Sequence, residues 1–196
     1  MLHESSINQL GFYRGKIGII LFFFHLSRYT SKRIYEEFAC VLLDELYEDI
    51  NSLHDKLLSN QEYAEIGWGL SYILHQQFVE GNPDDILTPI DKILLHSPHY
   101  KKEECNTIMH YFISRSMHQT STNYNEIIYN KCMQVCKGAK EPKLLNHQGI
   151  SNGYKLLLDN AIQNIKFEYC SIFTPRPLCI VDNGYAGIGL RLILKK

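Results

Sequence analysis

Gly11 to Tyr29, GFYRGKIGIILFFFHLSRY, is the stretch on which the reading of this chain turns. Three glycines, Gly11, Gly15 and Gly18, lead directly into IGIILFFFHL, and between positions 17 and 24 only Gly18 is not apolar. A helix that is apolar on nearly every face is buried on nearly every face. The glycines in front of it remove side chains where backbone approaches backbone or turns sharply into the helix. The same device closes the chain in Asn183-Gly184-Tyr185-Ala186-Gly187-Ile188-Gly189-Leu190-Arg191-Leu192-Ile193-Leu194. A weaker version, Glu65-Ile66-Gly67-Trp68-Gly69-Leu70-Ser71-Tyr72-Ile73-Leu74, lies between them. A glycine-marked entry into an apolar helix, recurring along one chain, is the mark of a repeat.

Outward from that stretch, helices come in pairs. The first spans about Lys16 to Tyr29, and Thr30-Ser31 offers cap chemistry for a second over about Lys32 to Ile50. In this second helix Ile34, Phe38, Val41, Leu42, Leu46 and Ile50 form one stripe, with Glu36, Glu37, Asp44 and Glu48 elsewhere. The next pair begins with Ile66 to Val79, which Glu80-Gly81-Asn82 ends. Pro83-Asp84-Asp85 opens its partner, with proline at the first position and acids in the first turn. Ile86, Leu87, Ile90, Ile93, Leu94 and Leu95 give that helix its apolar side, and Ser97-Pro98-His99-Tyr100 breaks the chain. A third, more polar pair covers Lys102 to His118 and Tyr124 to Cys136. Gly138 to Pro142 reads as a linker, Ser151 to Ile165 as a seventh helix, 167 to 182 as irregular, and a last helix starts near Tyr185. No segment alternates with period two, so the expected fold is all-α. Apolar inner helices alternating with amphipathic outer ones point to an α/α barrel in which each hairpin needs its neighbours to cover its apolar face.

The bounds agree with one domain over residues 1–196, long enough for a sizeable core. With 13 Tyr and 9 Phe the composition is globular. A net charge of -1 gives no electrostatic reason to expect nucleic acid or an anionic membrane as partner. The apolar run at 17 to 24 is too short to span a bilayer. It is followed by His25, Arg28, Lys32 and Arg33, with no small-residue cleavage site, which argues against a secretory signal. Cys40, Cys105, Cys132, Cys136, Cys170 and Cys179 lack the density of a disulfide scaffold. The expectation is a cytoplasmic protein.

GFYRGKIGIILFFFHLSRYT with RIYEEFACVLLDELYEDI resembles the first repeat of the lanthionine synthetase C-like (LanC-like) family. EIGWGLSYILHQQFVEGNPDDILTPIDKIL resembles the second repeat of its short bacterial members, and NGYAGIGLRLIL its closing repeat. The resemblance covers residues 11 to 95 and 183 to 196 well, and 100 to 180 poorly. It implies an α/α toroid, a double barrel of about seven helical hairpins. This chain has room for about four, so the toroid is shortened, incomplete or completed by another subunit, as in a homo-oligomer. The resemblance also implies thioether-ring chemistry. There a zinc ion, held by three protein ligands, binds a peptide cysteine as thiolate for addition to a dehydroalanine or dehydrobutyrine.

The family's two zinc motifs, Trp-Cys-Tyr-Gly and Cys-His-Gly, are absent: Trp68 is followed by Gly69, and no cysteine is followed by histidine. The glycine entries that remain offer His147 in Asn146-His147-Gln148-Gly149, and Asp182 with Asn183, a set poorly suited to a soft thiolate site. No metal is therefore expected, and no catalytic residue is assigned. Three residues stand as weak substrate-binding candidates. His25, in the apolar first helix, is a core histidine or an inward-facing acid/base group. Trp68 is core packing or the lining of a peptide groove. His147 is the third. Cys132 and Cys136 share a helix face and read as free thiols; Cys170 and Cys179 flank a proline-containing loop and read as free thiols, with a disulfide or a metal site shared with His147 as the alternatives. His96, His99, His110 and His118 have no ligand spacing, and Asp84, Asp85 and Asp91 read as capping and solvated charge. Two functions follow: a protein that binds a precursor peptide or a peptide-modifying partner enzyme, or a cyclase with a substituted metal site. An α/α-barrel enzyme of sugar or isoprenoid chemistry is a third class, for which no acidic motif is visible.

Overall fold

The structure is a computed structural model that describes residues 9–52, 58–118, 127, 130–131 and 184–194. Every element among these residues is an α-helix: α1 (Lys16–Thr30), α2 (Arg33–Ser52), α3 (Asn60–His75), α4 (Pro83–His96), α5 (Cys105–Ser116) and α6 (Tyr185–Leu194). The chain divides into two compact units, Met1–Leu57 with Leu158–Lys196, and Leu58–Leu157. The second half of the third pair, about Tyr124 to Cys136, falls largely outside the described residues, as does the helix expected over about Ser151 to Ile165.

In the first unit, α1 is the core, with Ile17, Ile20, Leu21 and Phe24 at most 1% exposed. Its glycine-rich approach has a specific use. The chain before α1 folds back so that the Gln9 and Leu10 carbonyls accept the amides of Lys16 and Ile17 at 3.0 and 3.3 Å. Those amides are among the first four of the helix, which have no partner inside it. A Cβ on Gly15 would sit 2.5 Å from the Gly11 nitrogen and against the Gln9 carbonyl. Glycine is therefore what lets the chain cap its own helix.

Thr30 and Ser31 belong to the end of α1, not to a cap on α2. The Thr30 hydroxyl donates to the Leu26 carbonyl at 2.7 Å, and Ser31 takes a left-handed conformation (φ 55°). The helix α2 packs against α1, where Phe23 meets Phe38 edge-on at 4.7 Å and stacks near Tyr35 at 6.2 Å. Lys16, 6% exposed, ties the helix ends together through Glu45 at 3.1 Å and Asp49 at 2.8 Å. The buried face of α2 coincides with the stripe read in the sequence at Leu46 and departs from it at Ile34, Phe38 and Val41. Ala39, Leu43 and Leu46 point inward, while Ile34, Phe38 and Val41 are 65%, 41% and 53% exposed. The helix carries two apolar rows, each spaced i, i+4, i+7, and sequence spacing alone cannot say which row faces α1. The closing helix α6 also packs on α1. A Cβ on Gly189 would lie 2.9 Å from the Phe22 ring Cζ, so the ring rests directly on the glycine backbone.

In the second unit, α3 is the core. Every residue from Ala64 to Ile73 is buried, and α4 and α5 both pack on it. The helix starts at Asn60, not near Ile66, because Ser59 and Glu62 form a capping box. It ends at His75, before the expected Glu80-Gly81-Asn82 stop. The Gln77 amide bonds to the Leu74 carbonyl and the Phe78 amide to the Ile73 carbonyl, at 3.0 and 3.1 Å. This is a Schellman motif with Gln77, φ 54°, in the left-handed position that glycine usually fills. Phe78 then packs back over Tyr72. The start of α4 follows the sequence reading: the Asn82 side chain accepts the Asp84 amide at 3.1 Å, and Pro83 takes the first turn.

Candidate functional site

The densest polar arrangement among the described residues lies inside the second unit, where α3, α4 and α5 meet. It grows from one acid in an apolar row. Leu87, Asp91 and Leu94 are spaced i, i+4, i+7 on α4, and all three are 0% exposed. Asp91 therefore points into the core and is not solvated charge, as its sequence context had suggested. A buried carboxylate needs charge and hydrogen bonds in compensation. Both come from α5: the Tyr111 hydroxyl donates to Oδ1 at 2.5 Å and Arg115 Nε to Oδ2 at 2.9 Å. Arg115, 2% exposed, also donates through Nη2 to Asp84 at 2.5 Å and through Nη1 to the His118 carbonyl at 3.3 Å. Burial alone would lower the Arg115 pKa, but Asp91 and Asp84 outweigh it and hold the guanidinium charged.

His118 extends the cluster to α3. Its Nε2 lies 2.9 Å from Ser71 Oγ and 3.0 Å from the Ser71 carbonyl, with the His75 ring edge-on at 6.2 Å. The histidine pKa is lowered, first by burial. A serine beside a histidine invites comparison with a nucleophile and its base. The carbonyl decides otherwise. A carbonyl only accepts, so a hydrogen bond to it requires the Nε2–H tautomer, and in that tautomer Nε2 has no lone pair with which to activate Ser71. Ser71 is itself 0% exposed. The cluster clamps three helices and is not built for acyl transfer.

Trp68 is in the second unit, on α3, 1% exposed and stacked on Tyr72 at 5.6 Å. His25 is in the first unit, on α1, 9% exposed. Burial, with Arg28 adding to it, lowers its pKa to about 4, so it is neutral at pH 7. His147, Asp182, Asn183, Cys132, Cys136, Cys170 and Cys179 lie outside the described residues. Sequence reading missed Asp91 and Arg115, and the signal was there: an acid on the apolar side of α4, and an arginine one turn after Tyr111 on the apolar side of α5.

Zinc, the metal the resemblance implies, takes three protein ligands. Among the described residues no three His, Cys, Asp or Glu side chains converge in a way that holds a metal ion. The thiols of Cys40 and Cys105 are pushed up, first by burial and then by neighbouring acids, against the thiolate form a metal requires. The described residues therefore do not fit a zinc centre. Among them, too, no helix is long and apolar enough to cross a membrane. No protein-family model, curated protein or solved structure matches the chain.

Proposed function

We propose that this chain is a LanC-like protein of ribosomal peptide modification, built as an α/α toroid of helical hairpins. In this reading it binds a precursor peptide or a peptide-modifying partner enzyme and does not close thioether rings itself. The observation that carries the reading is the packing of α6 on α1. In a closed ring of hairpins the last inner helix has to lie beside the first. Here the closing glycine motif meets the opening one through Gly189 and Phe22. Support also comes from the order of the three glycine-entry motifs and from the pairing of buried α1 and α3 with outer helices α2 and α4. The binding role is preferred over the cyclase because neither zinc motif is in the sequence.

The test uses the full chain purified without a metal-binding tag. Zinc is measured by elemental analysis before and after reconstitution. Binding of a dehydrated, cysteine-containing precursor peptide is followed by anisotropy, and ring closure by loss of alkylatable peptide thiol. The expected result is saturable binding, thiols that remain alkylatable and no stoichiometric zinc. About one zinc per chain together with thiol loss would establish a cyclase. Failure to bind any precursor peptide or peptide-modifying enzyme would overturn the proposal altogether.

A further inference from the structure

The outer row of α2 stays largely open, although Phe38 turns one edge to Phe23 at 4.7 Å. Ile34, Phe38 and Val41 stand 65%, 41% and 53% exposed in one row. Scattered exposed apolar residues are ordinary, but a contiguous row on one helix marks a contact surface. The same line continues C-terminally at i+11 and i+14 through Glu45 and Glu48, with Glu37 and Asp44 flanking it. Lys16 supplies one positive charge to Glu45 and Asp49 together, so that end stays net negative. Arg33, at the other end, is already paired with Glu37 at 3.1 Å. The face is thus an apolar half of two turns followed by an acidic half. At 1.5 Å per residue the acids begin about 6 Å beyond Val41 and extend to about 11 Å.

We propose that this face of α2 docks a cationic amphipathic helix of another protein, which seats apolar anchors on Ile34, Phe38 and Val41 and sets Lys or Arg against Glu45 and Glu48. A second copy of this chain fits poorly. An antiparallel two-fold pairing that joins Phe38 to Val41 sets Ile34 of one copy against Glu45 of the other. A parallel pairing sets Glu45 against Glu45 and Glu48 against Glu48. A helix laid along an apolar row is an established recognition mode, and the acidic end fixes the direction and the charge of the partner. The inference rests on the first unit alone and stands whether or not the peptide reading above is right.

The probes are two synthetic helical peptides with leucines at i, i+4 and i+7. One carries lysines at the two positions beyond the leucines, the other glutamates. Anisotropy titrations with the full chain are expected to show the lysine peptide binding at least about tenfold tighter than its twin, with affinity falling as salt rises. The double variant Ile34→Asp/Val41→Asp is expected to weaken it by about tenfold or more. Both side chains are largely exposed, so its circular dichroism melt is expected to match the parent, which separates lost docking from lost fold. Equal binding of the two peptides, no binding of either, or full affinity in the double variant would overturn the proposal. So would a dimer in sedimentation that the double variant abolishes, since the face would then belong to a second copy.

Discussion

Removing either partner of the Asp91–Arg115 pair is expected to cost far more than removing both. Asp91 is 0% exposed and its Arg115 partner 2%, so replacing Asp91 with leucine strands a buried guanidinium. Breaking a buried pair from one side costs about 3–5 kcal/mol. Asp84 still holds Arg115 at 2.5 Å, which places Asp91→Leu near the lower end, about 3 kcal/mol. Arg115→Met strands the carboxylate with only the Tyr111 hydroxyl on it, about 4 kcal/mol. In the double variant no buried charge remains, and apolar side chains of similar volume fill the space. The Tyr111 hydroxyl loses its acceptor, so the double variant is expected within about 1–2 kcal/mol of the parent.

Trp68, the only tryptophan in the chain, is buried on α3 in the same unit. Urea denaturation followed by its fluorescence therefore reads this unit specifically. The coupling between the two substitutions should reach about 5 kcal/mol, opposite in sign to the single losses. A double variant whose cost equals the sum of the singles would refute the clamp, as would an Asp91→Leu cost below about 1 kcal/mol.

His25 gives a pH signature. Its pKa is held at about 4 in the fold, below the ordinary histidine value of 6.5. The unfolded chain thus binds the proton first as pH falls. The stability linked to neutral His25 is complete above pH 6.5 and is lost progressively down to about pH 4. The span is about 3 kcal/mol at 1.36 kcal/mol per unit. Between pH 7 and 4, a His25→Gln variant should lose that much less stability than the parent in urea titrations followed by far-UV circular dichroism, and identical slopes would disprove the assignment. Gln77→Gly should stabilise the second unit by about 1 kcal/mol, because a left-handed residue with a Cβ carries a strain that glycine lacks; an unchanged Trp68 melt would count against the Schellman geometry. Gly15→Ala should destabilise the first unit by about 1–3 kcal/mol and speed hydrogen exchange at the Lys16 and Ile17 amides, whose acceptors it displaces. Exchange rates that do not move would mean the Gln9–Leu10 cap is not what Gly15 serves.

How much of this was legible in the sequence depends on what kind of signal each feature leaves. α1 was readable because it is apolar on every side, and no rotation of a helix changes that. The start of α4 was readable because Asn82-Pro83-Asp84-Asp85 is local chemistry. The start of α3 was equally local, in Ser59 and Glu62, but the apolar run from Ile66 drew the boundary inward. Its end was hidden because a glutamine fills a position that composition assigns to glycine. The inward face of α2 was legible only at Leu46, since two apolar rows compete and only α1 chooses between them. Asp91 and Arg115 sit 24 residues apart on different helices. Each sits on the apolar side of its helix, but only the fold shows that they neutralise one another. His118 and Ser71 are 47 residues apart, which is why no spacing rule joined them.

The glycines of α3 and the buried ion pair are linked, and the link is testable. A Cβ on Gly67 would lie 2.8 Å from Tyr111 Cδ2, nearer still to Cε2, and 3.0 Å from Ile90. The ring cannot move away freely, because its hydroxyl is held at 2.5 Å by Asp91. Gly67→Ala must therefore both crowd the ring and stretch that hydrogen bond, at about 2–3 kcal/mol together. Tyr111→Phe keeps the ring and removes the bond, at about 1 kcal/mol. In the Tyr111→Phe background the ring is free to shift, and Gly67→Ala should then cost about 0.5–1 kcal/mol less than it does in the parent. If glycine 67 served only helix-to-helix approach, the two costs would add, and Trp68 fluorescence in urea would show it. A non-additive result would mean that the glycine is required by where the tyrosine hydroxyl has to be, so that the apolar repeat and the polar clamp constrain one another at a single ring.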